Sequence, residues 1–167
     1  MAGVVRTFAC ACGRVRCEAA GPPILTCVCY CSDCQAGGAA VEALPGAVPV
    51  RDPDAGTPYL TYRDDRFACV AGVELLIAHR LSDTTPTRRM VASCCNTGMY
   101  LKFDPGHWVS AFRLRFPEPL PPIEMRTNLR RRTSALPLPD DAPAYRAFPL
   151  KLFWRLVRAR LAMIAAR

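Results

Sequence analysis

Histidine is scarce in this chain: His79 and His107 are the only two among 167 residues. No His–Asp–Ser arrangement is legible. His107 follows the turn Asp104-Pro105-Gly106 and reads as a satisfied surface or core histidine, with a ligand or proton-shuttle role open to it only if it folds back on other polar groups. Glycine-rich phosphate loops are also absent, with neither G-x-G-x-x-G nor a P-loop, so nucleotide binding has no support. No stretch of ~18 uninterrupted apolar residues occurs, which argues against a membrane-spanning helix. From Met1 to Arg16 there is no apolar run of signal-peptide length. The expectation is therefore a reducing, cytoplasmic compartment, where cysteines stay as thiols or bind metal.

Cysteine is what the chain has in excess, with ten residues. Seven fall in tight elements: Cys10-Ala11-Cys12-Gly13, then Cys29-Tyr30-Cys31-Ser32-Asp33-Cys34, then Cys94-Cys95-Asn96-Thr97-Gly98. A C-x-x-C turn aims two thiolates at one ion, and a C-x-C pair does so where a strand ends and bends. Thiolates are soft ligands that favour zinc over magnesium or calcium, and zinc takes a tetrahedral shell. One site needs four ligands, so the surplus points to two. One of these is short of a protein ligand, which is how a catalytic zinc keeps an open position. Neighbouring residues on a strand face opposite ways. Cys94 and Cys95 are thus expected to part, one joining Cys10 and Cys12 and the other approaching Cys29, Cys31 and Cys34. A redox dithiol at Cys31 and Cys34 is disfavoured by the lack of a thioredoxin-like βαβ pattern. Cys17, Cys27 and Cys69 lie outside the tight elements and read as small buried apolar residues. Asp33 reads as a solvated turn residue, and Asn96-Thr97 as an Asx-type turn shaping the backbone beside the sulfurs.

Short segments rich in β-branched and aromatic residues, punctuated by Gly and Pro, run from the N-terminus to Phe112 and predict a mainly β domain over 1–112. Residues 113–148 hold most of the clustered prolines together with Arg130-Arg131-Arg132, and read as a basic, semi-rigid connector. Residues 149–167 form the one clear amphipathic helix, with Leu150, Phe153, Trp154, Val157, Leu161 and Ile164 at helical spacing and Pro149 at its start. The net charge of +8 falls wholly after Phe112, because the residues before it balance ten basic against ten acidic side chains.

The order C-x-C-G, then C-x-C-x-x-C, then a late cysteine pair after a strand resembles the glutathione-dependent formaldehyde-activating enzyme family, which includes centromere protein V. The resemblance spans roughly Phe8 to Phe103. It implies a β-tent of small antiparallel sheets around cysteine-bound zinc. Cys10 and Cys12 match the family's first pair, which with a late pair holds a structural zinc. Cys29, Cys31 and Cys34 match the middle element, whose zinc serves carbon–sulfur chemistry on a glutathione adduct. Two departures mark a divergent branch. Tyr30 stands where the family has histidine, and Cys94-Cys95-Asn96-Thr97-Gly98 replaces its late C-x-x-C-G.

Two functions follow as expectations. In one, the protein is a zinc-dependent carbon–sulfur lyase acting on a small thiol or thiol adduct. In the other, it is a non-catalytic zinc module whose basic tail binds a partner. The apolar face of the helix over 149–167 docks on the β domain or pairs with a second copy as a homodimer; otherwise the helix lies on an anionic membrane surface or contacts nucleic acid.

Overall fold

Alternating and wholly apolar short segments pair into two sheets in the computed structural model, which describes residues 4–166. The strands are β1 (Val5–Ala9), β2 (Arg16–Ala20), β3 (Leu25–Cys29), β4 (Thr57–Arg63), β5 (Phe67–Ala71), β6 (Leu76–His79), β7 (Thr87–Ala92), β8 (Thr97–Phe103), β9 (Trp108–Phe112) and β10 (Met125–Thr127). The helices are α1 (Ser32–Glu42) and α2 (Leu150–Ala165). The expected mainly β fold with a C-terminal helix is what forms. One sheet has the order β1-β2-β5, and the other β10-β3-β4-β9-β8-β7-β6. Arg167, where the expected helix would have ended, lies outside the described residues, as do residues 1–3.

β3 is buried along its whole length. It lies between β10 and β4 and is covered on both faces, which suits its run of Leu, Thr, Cys and Val. One core cluster gathers around Val41, Tyr59, Val91 and Phe112 and takes in Leu152 and Leu156 of α2. A second gathers around Phe8, Val15, Leu60, Tyr62 and Met99 and joins the small sheet to the large one.

The structure corrects three expectations. First, the helix near the C-terminus has company: the small residues from Gln35 to Ala40 belong to α1. Gly37 and Gly38 each cost a helix about 1 kcal/mol of intrinsic propensity, and packing overrides that cost. A Cβ on Gly37 would land on the Arg89 guanidinium, and one on Gly38 would lie 2.7 Å from Cγ and Cδ of Arg51. The two glycines therefore give two arginines room to lie flat on the helix. At the other end of α1, Glu42 receives Nε and a terminal nitrogen of Arg51 at 2.9 and 2.6 Å.

Second, the proline-rich segment is more than a connector. Between its prolines it supplies β10, which pairs in parallel with β3 and sets Met125 opposite Cys27 and Thr127 opposite Cys29. Arg126 is buried there, and its Nε donates to Asp141 at 2.8 Å. Third, α2 docks by a different face from the one expected. Leu152, Leu156 and Met163 are buried, whereas Leu150 is 87% and Trp154 64% exposed. The helix carries apolar residues on two faces, so spacing alone does not choose between them. Polar contacts fix its orientation: Arg155 pairs with Glu124 at 2.7 Å, and a His107 ring nitrogen lies 2.7 Å from the carbonyl of Leu156. Among the described residues, no helix is long and apolar enough to cross a membrane.

Candidate metal centres

Two turns from different sheets meet at the first cysteine cluster. Cys10 closes β1, and the turn that follows is held by Gly13 N–H donating to Cys10 O at 2.9 Å and Cys10 N–H donating to Val15 O at 3.0 Å. Gly13 adopts φ +77°, which glycine reaches without strain. The second turn joins β7 to β8 and holds Cys94 and Cys95, with Asn96 at φ +54°. Here the expected parting of Cys94 and Cys95 fails. The strand stops at Ala92, so the alternation that would separate their side chains does not apply. Both join Cys10 and Cys12, and the four sulfurs lie within 4.8 Å of one another. Cys12 to Cys94 is 3.3 Å, Cys10 to Cys12 3.6 Å and Cys10 to Cys94 3.8 Å. No pair is disulfide-bonded.

Backbone and hydroxyl groups position these sulfurs. Val15 N–H donates to Cys10 Sγ at 3.2 Å. Thr97 Oγ1 accepts from Ala11 N–H at 3.1 Å and sits 3.1 Å from Cys95 Sγ, so one threonine braces both turns. Asn96 Nδ2 donates to Pro45 O at 2.9 Å. Burial works against ionising Cys95, but hydrogen bonds from Thr97, Cys12 and Cys10 outweigh it and bring the thiol down to about 6. Cys94 is pushed up to about 12 by burial and by its thiol neighbours. One proton leaves this cluster easily, and the next would crowd negative charge.

The second cluster joins the end of β3 to the start of α1. Cys29, Cys31 and Cys34 place three sulfurs within 4.8 Å of one another. Cys31 caps α1, its sulfur accepting the N–H of Cys34 at 3.3 Å. A sulfur thus takes the role usually filled by Ser, Thr, Asp or Asn. Asn128 Nδ2 lies 3.5 Å from Cys29 Sγ, reaching it from beyond β10, and Tyr59 hydroxyl lies 3.6 Å from Cys34 Sγ. Thiol hydrogen bonds from Cys31 and Cys34 hold Cys29 well below the usual thiol range, and Cys34 is pushed well above it by its bonds with Cys29 and Cys31 and by burial. Cys31 rises to about 11, chiefly through its bond to Cys29. Each cluster can hold a metal ion. The first offers four sulfurs and the second three.

Three features of the second cluster escaped the sequence reading. Tyr30 lies between two clustered cysteines yet points away from them. Its hydroxyl donates to Asp54 Oδ2 at 2.6 Å and receives a guanidinium N–H of Arg126 at 2.6 Å. Arg89, on β7, is 2% exposed, and its guanidinium donates to Asp33 O at 2.5 Å. No carboxylate among the described residues forms an ion pair with it. Finally, a cavity of about 450 Å³ opens beside Cys29, Cys31 and Cys34, walled by Leu25, Leu101, Phe103 and Trp108 and by Leu152 and Phe153 of α2. The alternation of β3 foretells Tyr30's direction. The remaining two features need strands and a helix far apart in the chain. Cys27 also lines the cavity but remains a thiol, because burial and the nearby Cys29 raise it.

No family model matches this chain, and no curated protein is similar to it. Among solved structures it is similar to a Rhodobacter sphaeroides protein, a structural-genomics target, with a TM-score of 0.49 and 15% identity over 69% of this chain and 91% of that one.

Proposed function

We propose that the protein is a zinc-dependent carbon–sulfur lyase acting on a thiol adduct, a divergent relative of the glutathione-dependent formaldehyde-activating enzymes with a β-tent fold. The observation that carries this reading is the asymmetry of the two clusters. Cys10, Cys12, Cys94 and Cys95 supply a full shell, while Cys29, Cys31 and Cys34 supply three sulfurs and face a cavity. A zinc–sulfur distance of about 2.3 Å in a tetrahedron sets sulfur–sulfur edges of ~3.8 Å. The edges of 3.3, 3.6, 3.8 and 3.9 Å in the first cluster suit that shell. Thiols alone make up both donor sets, which favours a soft ion.

Cys10, Cys12, Cys94 and Cys95 would hold a structural zinc, and Cys29, Cys31 and Cys34 a second. Bound zinc supplies Lewis acidity, lowering a thiol's pKa and stabilising charge on sulfur. The chain's own residues do the rest. Asn128, Tyr59 and the N–H of Cys34 orient the three sulfurs. Arg89 sets a buried positive charge on the cavity wall, its guanidinium held by Asp33 O, and leucine and aromatic side chains would present an apolar surface to a substrate entering beside the three sulfurs.

Elemental analysis of the purified protein tests this, together with X-ray absorption at the zinc edge. The expected result is two zinc ions per chain, one with four sulfur neighbours and one with three from the protein and one from elsewhere. Four protein sulfurs around both ions would sink the catalytic reading.

A second reading, a zinc module that docks through its tail, draws on the exposed row Leu150, Trp154, Val157, Leu161 and Ile164 flanked by Lys151 and Arg158. Trp154→Ala together with Leu161→Ala should then abolish binding to anionic vesicles while leaving metal content intact.

A further inference from the structure

We infer that the cavity beside Cys29, Cys31 and Cys34 takes a small, uncharged, apolar thiol in place of a charged peptide thiol such as glutathione. The inference rests on reading those three cysteines as a metal site with an open position. Its own support is the chemistry of the walls.

At about 450 Å³ the cavity lies toward the small end of ligand sites. Leu25, Leu101, Phe103, Trp108, Leu152 and Phe153 give it aliphatic and aromatic sides. Phe148 and Phe153 stand at the edge, 45% and 49% exposed, their rings 6.2 Å apart and nearly perpendicular. A ligand entering there meets carbon first. Of the hydroxyls on the wall, Thr61 and Ser110 already bond each other at 3.2 Å. Two charged residues line the cavity. Asp33 is exposed, and Arg89 is buried with its guanidinium engaged by Asp33 O.

Glutathione carries two carboxylates and an ammonium. Each of these costs several kcal/mol to bury without a partner. One cation, already engaged, does not satisfy two carboxylates. An aryl or alkyl thiol makes no such demand. Its sulfur reaches the three-cysteine cluster, and its hydrocarbon covers the leucines and aromatic rings.

The test uses the full-length, metal-loaded protein, as zinc and cobalt forms, with three probes: 2-phenylethanethiol, 2-phenylethanol and glutathione. Calorimetric titration should show 2-phenylethanethiol binding at least tenfold more tightly than glutathione, about 1.4 kcal/mol. It should also bind more tightly than 2-phenylethanol, and the thiol should alter the cobalt absorption spectrum while the alcohol does not. Phe153→Ser and, separately, Phe148→Ser should each weaken thiol binding severalfold with metal content unchanged. Both side chains are half-exposed, so at least one variant should fold normally. Glutathione binding as tightly as the apolar thiol overturns the inference. So does equal binding of thiol and alcohol with no spectral change, or indifference to both substitutions. Metal content measured on the same samples separates two failures. A folded chain that holds no ion at the three cysteines defeats the metal-site reading and this inference with it. A chain that holds the ion yet prefers glutathione defeats this inference alone.

Discussion

Replacing Tyr30 by phenylalanine separates scaffold from site at a position flanked by two clustered cysteines. On β3 and its extension, side chains alternate: Cys27 and Cys29 face the cavity, while Val28 and Tyr30 face the opposite side, where Gly56 leaves room for both. Tyr30→Phe removes one hydrogen bond to Asp54 and one from Arg126, both charged partners in a fully buried place. Hydrogen bonds to charged groups contribute about 1.5–3 kcal/mol each. The full sum is not lost, because the partners keep other contacts. Asp54 still accepts the N–H of Gly56 at 3.1 Å, Arg126 still holds Asp141, and Arg126 lies 3.8 Å from Asp54. The expected cost is about 2–3 kcal/mol, which for a chain of this size lowers the midpoint of thermal unfolding by roughly 4–12 °C. Calorimetry on wild type and variant at equal saturating zinc measures it, with metal content and the cobalt absorption spectrum recorded alongside. Metal content and spectrum should not change. Loss of a metal equivalent, or an altered cobalt spectrum with the fold intact, would refute the claim that Tyr30 faces away from the sulfurs.

Further outcomes follow from the same contacts. Cys94→Ser should release one metal equivalent and speed amide hydrogen exchange in β1 and β2, leaving β3 and β4 protected; mass spectrometry reads both. In metal-free protein, Cys95 with its thiol near 6 should react with iodoacetamide at pH 7 well before Cys94, which sits near 12. Because the Cys95 pKa is lowered, its rate should stay high from pH 9 down to about 7 and fall through pH 6, as peptide mapping will show. Gly37→Ala drives a methyl into the Arg89 guanidinium and should cost about 1–3 kcal/mol. Most of that should return in the Gly37→Ala, Arg89→Met double variant, a non-additivity visible in urea denaturation.

Local features were legible in the sequence, and meetings between distant segments were not. The β character came through because strands such as Thr57–Arg63 and Trp108–Phe112 carry the residues that suit a pleated, half-buried surface. Tight cysteine spacing shows which thiols share a turn, as with Cys31 and Cys34. It does not show which turns meet. Strand alternation would part Cys94 from Cys95, yet the chain leaves the strand before reaching them, and Asn96 in the left-handed region completes the bend. α1 was hidden because Gly37 and Gly38 are poor helix formers, and their purpose emerges only when Arg89 and Arg51 pack on them. Helical spacing does not single out the docking face of α2, because apolar residues occupy both sides. Leu152 and Leu156 are selected by the cavity they help to wall and by Arg155 and His107, which fix the helix's rotation.

The turn bearing Cys10 and Cys12 belongs to the small sheet, and the turn bearing Cys94 and Cys95 to the large one, so an ion shared by these four acts as a removable rivet between them. Cys12 is exposed and both Cys94 and Cys95 are partly so, whereas Cys29 and Cys34 are buried. Removing such an ion would part the small sheet from the large one at this seam, while Cys29, Cys31 and Cys34 would stay together on one short stretch of chain.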